Sequence, residues 1–256
     1  MQTEDQLKEL VKQKYAEIAL QNKDTNQSSC CGASGCSTEV YNIMSEDYTT
    51  LEGYDANADL GLGCGLPTQF AAIKKGDVVI DLGSGAGNDA FIARAETGEN
   101  GKVIGIDFTP AMIERARANA EQLKFHNVEF RQGDIEKMPV TANTADVIVS
   151  NCVLNLVPNK DAVLKEIFRV LKPGGHFSIS DIVLIGEYLG LIDANKFTNV
   201  KLQKEKVINI PDDILKDYLD EAAINEFKSG ATGIYSVTVY AEKPTDETCC
   251  APGCCD

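Results

Sequence analysis

Tryptophan is absent from the chain, and histidine occurs only twice, at His126 and His176. Neither lies near a recognisable catalytic motif, so chemistry that needs a histidine general base is not expected. Long apolar runs are missing as well. None approaches the roughly 20 residues of a membrane span, and the opening "MQTEDQLKEL" lacks the basic-then-apolar pattern of a secretory signal. These absences predict a cytoplasmic location and no membrane partner. Positive charge is also scarce: 24 Lys and Arg stand against 39 Asp and Glu, a formal net charge of −15. Non-specific nucleic-acid affinity comes from basic side chains neutralising phosphates, and no Lys/Arg cluster interrupts the acidic composition. A nucleic-acid partner is not expected, and a small-molecule substrate is.

The rest of the composition is ordinary. With 256 residues, 43% apolar and 25% charged, the chain can bury one large domain, with or without additions. Cysteine is the exception. Nine occur: Cys30, Cys31 and Cys36, then Cys64, Cys152, and finally Cys249, Cys250, Cys254 and Cys255. An odd number, adjacent pairs and a reducing compartment argue against a disulfide framework. Thiolates kept reduced for a soft metal or metalloid are the competing explanation. In "GLGCGLP", Gly61 to Pro67, Cys64 has no side-chain neighbours of its own segment to pack with, so it asks for a partner elsewhere.

Along the chain, "TEDQLKELVKQKYAEIALQ" places Leu7, Leu10, Val11, Tyr15 and Ile18 at helical spacing, with Thr3 and Gln6 as a capping box. The cysteine-bearing "NKDTNQSSCCGASGCST" reads as a loop. From Gly76 strands and helices alternate. "DVVIDLGSG", "KVIGIDF", "VEFRQGD", "ADVIVSN" and "HFSISDIVL" read as five buried strands. "NDAFIARAE", "TPAMIERARANAEQL" (capped by Thr109, with Pro110 in its first turn) and "KDAVLKEIFRVLKPGG" (stopped by Pro173 and its glycines) read as helices. "NVKLQKEKVINI" and "YSVTVYAEK" add two strands around a helix, "DDILKDYLDEAAINEF". The alternation predicts an α/β fold: a doubly wound, mostly parallel seven-stranded sheet.

"DLGSGAGN" carries Gly83, Gly85 and Gly87 behind Asp81. A dinucleotide loop wants glycine or alanine where Asn88 stands. Gly-x-Gly-x-Gly behind an acid instead suits S-adenosylmethionine, which has no phosphate and needs close backbone approach at its amino-acid end. Asp81 would organise the loop and the cofactor's cationic end. Asp107 ends the second strand, where a carboxylate can accept both ribose hydroxyls, and Asp134 ends the third, where one can take the adenine amino group. Phe108, Ile135 and Asn151 complete the expected cofactor set. Cys152 follows the fourth strand at a position that faces a reacting methyl group in this fold, although a lone cysteine there also reads as a small buried hydrophobe.

"YDANADLGLGCGLPTQF", "VVIDLGSGAGNDAF" and "SNCVLNLVPNKDAVLKEIFRVLKPGGHFSISD" closely resemble the arsenite S-adenosylmethionine methyltransferases, from about Tyr41 to Leu184. The resemblance implies a Rossmann-like class I methyltransferase fold. It also implies methyl transfer to trivalent arsenic held by Cys64 and Cys152 as the catalytic, arsenic-binding thiols, on arsenite or its thiol conjugate, with a thiol reductant. It implies a further N-terminal thiol, for which Cys30, Cys31 and Cys36 are candidates, with Cys31 and Cys36 as the working pair. The chain departs from the family after the fifth strand. No cysteine occurs between Cys152 and Cys249, and only 13 residues separate Leu184 from Thr198.

The expected organisation is an N-terminal helix and cysteine loop at 1–40 and a methyltransferase core at 41–184. Residues 185–244 would complete the sheet, and 245–256 form a flexible cysteine-rich tail, a candidate soft-metal scavenger. Two other readings stand beside arsenite detoxification. One is an arsenic-binding protein without turnover. The other is a quinone-type small-molecule carbon methyltransferase, which would leave Cys64 and Cys152 without a shared purpose.

Overall fold

The computed structural model describes residues 3–21, 23, 26, 47–208, 215–216, 220–224 and 234–245. Its centre is a sheet of seven strands in the order β3-β2-β1-β4-β5-β7-β6, as the alternation predicts. The strands are β1 Val78–Leu82, β2 Lys102–Asp107, β3 Val128–Gln132, β4 Ala145–Asn151, β5 Leu171–Leu184, β6 Thr198–Val207 and β7 Ile234–Glu242. β1 to β5 pair in parallel, while β7 runs antiparallel between β5 and β6.

β1 explains why the sheet lies inside. Val79, Ile80 and Leu82 are fully buried, as expected of a strand covered on both faces. Val79 joins Val103, Val147 and Val149 on one face, with Phe91 and Ile113 packed over them. Ile80 and Leu82 join Ile104, Ile148 and Phe177 on the other, under Leu164 and Ile167. Those covering residues come from helices α3 Asn88–Thr97, α4 Pro110–Gln122 and α5 Lys160–Val170. Since β1 pairs with both β2 and β4, the strand order reverses beside it, and a crevice opens past the ends of these strands.

Local signals hold with some differences. Thr3 and Gln6 form both bonds of the capping box of α1 Glu4–Ile18. The expected apolar stripe of α1 is divided, however: Ile18 is buried while Leu7 and Leu10 are exposed, because this helix lies over a cleft and not on the sheet. Thr109 and Pro110 do start α4, but without a side-chain bond from Thr109 into the helix. α5 ends at Val170, so Pro173 to Gly175 open β5 instead of closing the helix. A one-turn helix, α2 Pro67–Phe70, precedes β1, and α6 Ile185–Ala194 fills the connection from β5 to β6. Most of the helix expected in "DDILKDYLDEAAINEF", and the tail cysteines, lie outside the described residues. No helix among the described residues is long and apolar enough to cross a membrane.

Phe177 is fully buried and meets Phe197 edge to face, with ring centroids 5.0 Å apart. Phe177→Ala removes a large core side chain, and urea unfolding should show a loss of about 3–5 kcal/mol. A change within experimental error would contradict this assignment of the core.

Candidate active site

Among the described residues, the crevice past β1, β2 and β4 is lined by Gly83, Gly85 and the neighbours of Gly87, by five aspartates (Asp59, Asp81, Asp89, Asp107 and Asp134), and by one lysine, Lys8. Gly83, Gly85 and Gly87 take φ of +68°, +50° and +104°, backbone that favours glycine. At Gly83 a side chain would also strike Val153. Asp81 accepts from the Ala90 amide and so ties the loop to the first turn of α3. Asp107 accepts from Gly85 N–H at 3.0 Å and Thr109 N–H at 2.8 Å. Asp134 accepts from Glu136 N–H at 2.9 Å and pairs with the Lys8 ammonium of α1 at 2.7 Å.

The carboxylates differ from surface acids. Burial pushes Asp81 well above the usual range, and the charges of Asp89 and Asp107 push it further. Burial raises Asp107 against the amides that hold it. Burial also pushes Asp89 up to about 6, opposed by hydrogen bonds from Asn151 and Tyr48. Asp81 Oδ2, Ser84 Oγ, Asn88 Oδ1 and Asp89 Oδ1 are buried in this lining without a hydrogen-bond partner. Such acceptors suit a ligand that brings both positive charge and N–H or O–H donors. A phosphate would meet repulsion here. S-adenosylmethionine, with its ammonium, its sulfonium and two ribose hydroxyls, has the complementary chemistry, and Leu62, Met112 and Leu156 give the same lining apolar surface.

Cys152 lines this crevice, and Cys64, buried just behind the lining, meets it there. They are joined as a disulfide with Cα atoms 5.9 Å apart, inside the ordinary range. The expectation that the cysteines form no disulfide is therefore corrected for this pair: two sulfurs aimed at one position come within bonding reach. Cys152 has φ of +55°, an uncommon conformation for a residue with a side chain, and its N–H is fixed to Ser180 O at 2.8 Å. Asn151 bridges the two halves of the site. Its Oδ1 accepts from Cys64 N–H at 3.0 Å, and its Nδ2 donates to Asp89 Oδ2 at 3.1 Å, to Gly65 O at 2.9 Å and to the Tyr48 hydroxyl.

The glycines beside Cys64 now have a reason. A Cβ at Gly63 would lie 2.8 Å from Tyr48 Oη, and one at Gly65 would lie 2.6 Å from Ser180 Oγ. The loop backbone seats directly on side chains of the scaffold, and nothing larger fits.

Asp81, the three glycines, Asp107, Phe108, Asp134, Ile135, Asn151 and Cys152 all reach this crevice or its loop, and Cys64 meets Cys152 there. Cys30, Cys31 and Cys36 lie outside the described residues. Asp89, Tyr48 and Lys8 were missed by sequence reasoning. Asp89, two residues past Gly87 in the first turn of a helix, could have been found from its position, whereas Tyr48 and Lys8 carry no motif.

Residues 73–228 match the methyltransferase-domain family. The arsenite methyltransferase of Halobacterium salinarum is 44% identical over 192 residues, which cover 70% of this chain and 48% of that protein. The arsenite methyltransferase of Aquipseudomonas alcaligenes is 33% identical over 245 residues, covering 84% of this chain and 68% of that protein. The chain belongs to the arsenite methyltransferase family. Among solved structures, an arsenic(III) S-adenosylmethionine methyltransferase from Chlamydomonas reinhardtii superposes with a TM-score of 0.61 at 31% identity, covering 72% of this chain and 68% of that one. The chain thus spans about half the length of one curated family member and about two thirds of another.

Gly65→Ala should lift this family member's Cys64 loop off Ser180 without touching the core. Under mild oxidation, mapping by mass spectrometry should show the Cys64–Cys152 bridge lost in most molecules while the circular dichroism stays native. A bridge formed as in the wild type would contradict the seating described.

Proposed function

We propose that this chain transfers the methyl group of S-adenosylmethionine to trivalent arsenic held by Cys64 and Cys152, the activity for which its relatives are named. The observation that carries this reading is the meeting of two cysteines, 88 residues apart in sequence, in the wall of an acidic glycine-loop crevice. When bound, S-adenosylmethionine would supply an electrophilic methyl group to which the arsenic lone pair donates, the carbon–sulfur bond breaking to leave S-adenosylhomocysteine.

The chain's own residues have distinct tasks. Asp81 and Asp89 offer unpartnered oxygens to the cationic end. Asp107, with Gly85 bound to it, would accept the ribose hydroxyls, and Asp134 with Ile135 and Phe108 would hold the adenine. Arsenite is soft and thiophilic. Each thiol gives its proton to an arsenic-bound hydroxide, water leaves and an arsenic–sulfur bond forms. The lone pair needs no general base, which accords with neither histidine lining the crevice. Fixing both partners in line supplies rate by orientation.

A closed disulfide cannot take arsenite, so a thiol reductant is needed to open the pair. Cys31 and Cys36 are candidates for a third ligand. Upstream of them, Lys23 pairs with Asp59 at 2.6 Å and Asn26 Nδ2 donates to Leu60 O at 3.2 Å, and Asp59 and Leu60 both line the crevice. Cys31 lies five residues beyond Asn26, a reach of at most about 17 Å. Residues 47–184 carry both site thiols and most of the crevice lining, to which α1 adds Lys8, Val11 and Tyr15, while β6 and β7 extend the sheet beyond β5.

The test is reduced protein, arsenite and methyl-labelled S-adenosylmethionine. Label should appear on arsenic, and Cys64→Ser and Cys152→Ser should each lower its rate by about 100-fold or more while S-adenosylhomocysteine still binds. Arsenite bound tightly with no label transferred would favour sequestration instead, a reading supported by the lack of any cysteine between Cys152 and Cys249.

Donor binding should also depend on pH. A cation favours the ionised carboxylate, so affinity rises with pH through about 6, the value to which burial raises Asp89 in the free protein. Calorimetry with S-adenosylmethionine from pH 5 to 7.5 should show this rise, and Asp89→Asn should flatten it. An unchanged pH profile in the variant would contradict the assignment.

A further inference from the structure

β5 and β7 turn a row of small hydroxyls toward the segment that carries Cys64. Ser178 and Ser180 are fully buried on β5, and Thr238 is nearly so on β7, with Ser236 half-buried two residues before it. Ser180 stands opposite Thr238 in the antiparallel register, and their hydroxyls bond at 2.8 Å. Ser178 Oγ donates to Pro67 O at 2.8 Å. Ser236 Oγ donates to Cys64 O at 3.0 Å.

Cys64 is thereby held at both backbone polar groups. Asn151 of β4 takes its N–H, and Ser236 of β7 donates to its carbonyl. Tyr48 and Asn151 hold the next carbonyl, that of Gly65, but without Ser236 no side chain among those described bonds the Cys64 carbonyl itself. The Ser236 bond fixes the plane of the peptide that follows the cysteine. Ser236 is outside the crevice lining.

We infer that Ser236 is a positioning residue for the thiol pair: its hydroxyl, 172 residues away in sequence, fixes the Cys64 backbone so that the sulfur stays within reach of Cys152. The inference rests on the reading of these thiols as the arsenite ligands only for its importance to function. The geometry itself concerns the two sulfurs.

The test compares wild type, Ser236→Ala and Ser236→Thr. Each is equilibrated in buffers of reduced and oxidised dithiothreitol, quenched by alkylation and mapped at Cys64 and Cys152 by mass spectrometry. Losing one hydrogen bond that holds the closed geometry should shift the equilibrium of Ser236→Ala toward the open dithiol by about five-fold. Ser236→Thr, which keeps the hydroxyl, should return to within about two-fold of wild type, and S-adenosylhomocysteine affinity should stay the same in all three. An alanine variant indistinguishable from wild type would overturn the inference. So would a shift accompanied by an equal loss of S-adenosylhomocysteine affinity, which would mark a general loosening of the fold. If wild type binds no arsenite while the alanine variant still shifts its thiol equilibrium, the arsenite reading fails and the positioning role stands.

Discussion

The rest of the site depends on the close seating of the 63–65 backbone on the scaffold. Gly63 lies against the Tyr48 hydroxyl and Gly65 against Ser180, with no room for a Cβ at either place. The Tyr48 hydroxyl then reaches Gly65 O at 2.7 Å, and Asn151 reaches both Gly65 O and Cys64 N–H. Only with the loop at this depth does the Cys64 sulfur meet that of Cys152, whose own left-handed backbone is held by Ser180. Loop sequence, strand hydroxyls and backbone conformation therefore serve one geometric requirement. Strain at Cys152, of order 1 kcal/mol, is stored where the chemistry is proposed.

The second constraint is electrostatic. Asp81, Asp89 and Asp107 are buried close together, and each sits above its ordinary carboxylate range chiefly because burial disfavours its charge. In the folded protein these raised values favour stability at low pH, and that contribution is lost as pH rises toward and through about 6 at Asp89. A cationic ligand offsets the cost. The crevice is thus less stable empty and ionised than filled, which ties the acidity of the site to its choice of ligand. Asn151 joins this constraint to the first, since one amide contacts both Asp89 and the Cys64 loop.

Much of the fold was legible in the sequence because strands buried on both faces leave a strong signal. "VVIDL" and "DVIVS" are apolar runs ended by turn or polar residues, and alternation with helices leaves few topologies. The loop glycines, Asp107 and Asp134 were legible because they fall at strand ends. The disulfide was not, since pairing depends on a tertiary contact across 88 residues and the cysteine count argued the other way. Ser178, Ser180, Ser236 and Thr238 read as ordinary strand residues, and only the loop lying on them gives their hydroxyls a purpose. The divided stripe of α1 has the same origin: periodicity shows which residues share a face, but not whether that face covers a sheet or bridges a cleft.

The central claim is that Cys64 and Cys152 together hold trivalent arsenic beside the donor crevice. It is tested most directly by reducing the protein, adding arsenite or buffer, alkylating briefly, and reading each cysteine by mass spectrometry. The account predicts that arsenite protects Cys64 and Cys152 together, and that replacing either one exposes the other. Equal alkylation of both with and without arsenite would contradict it.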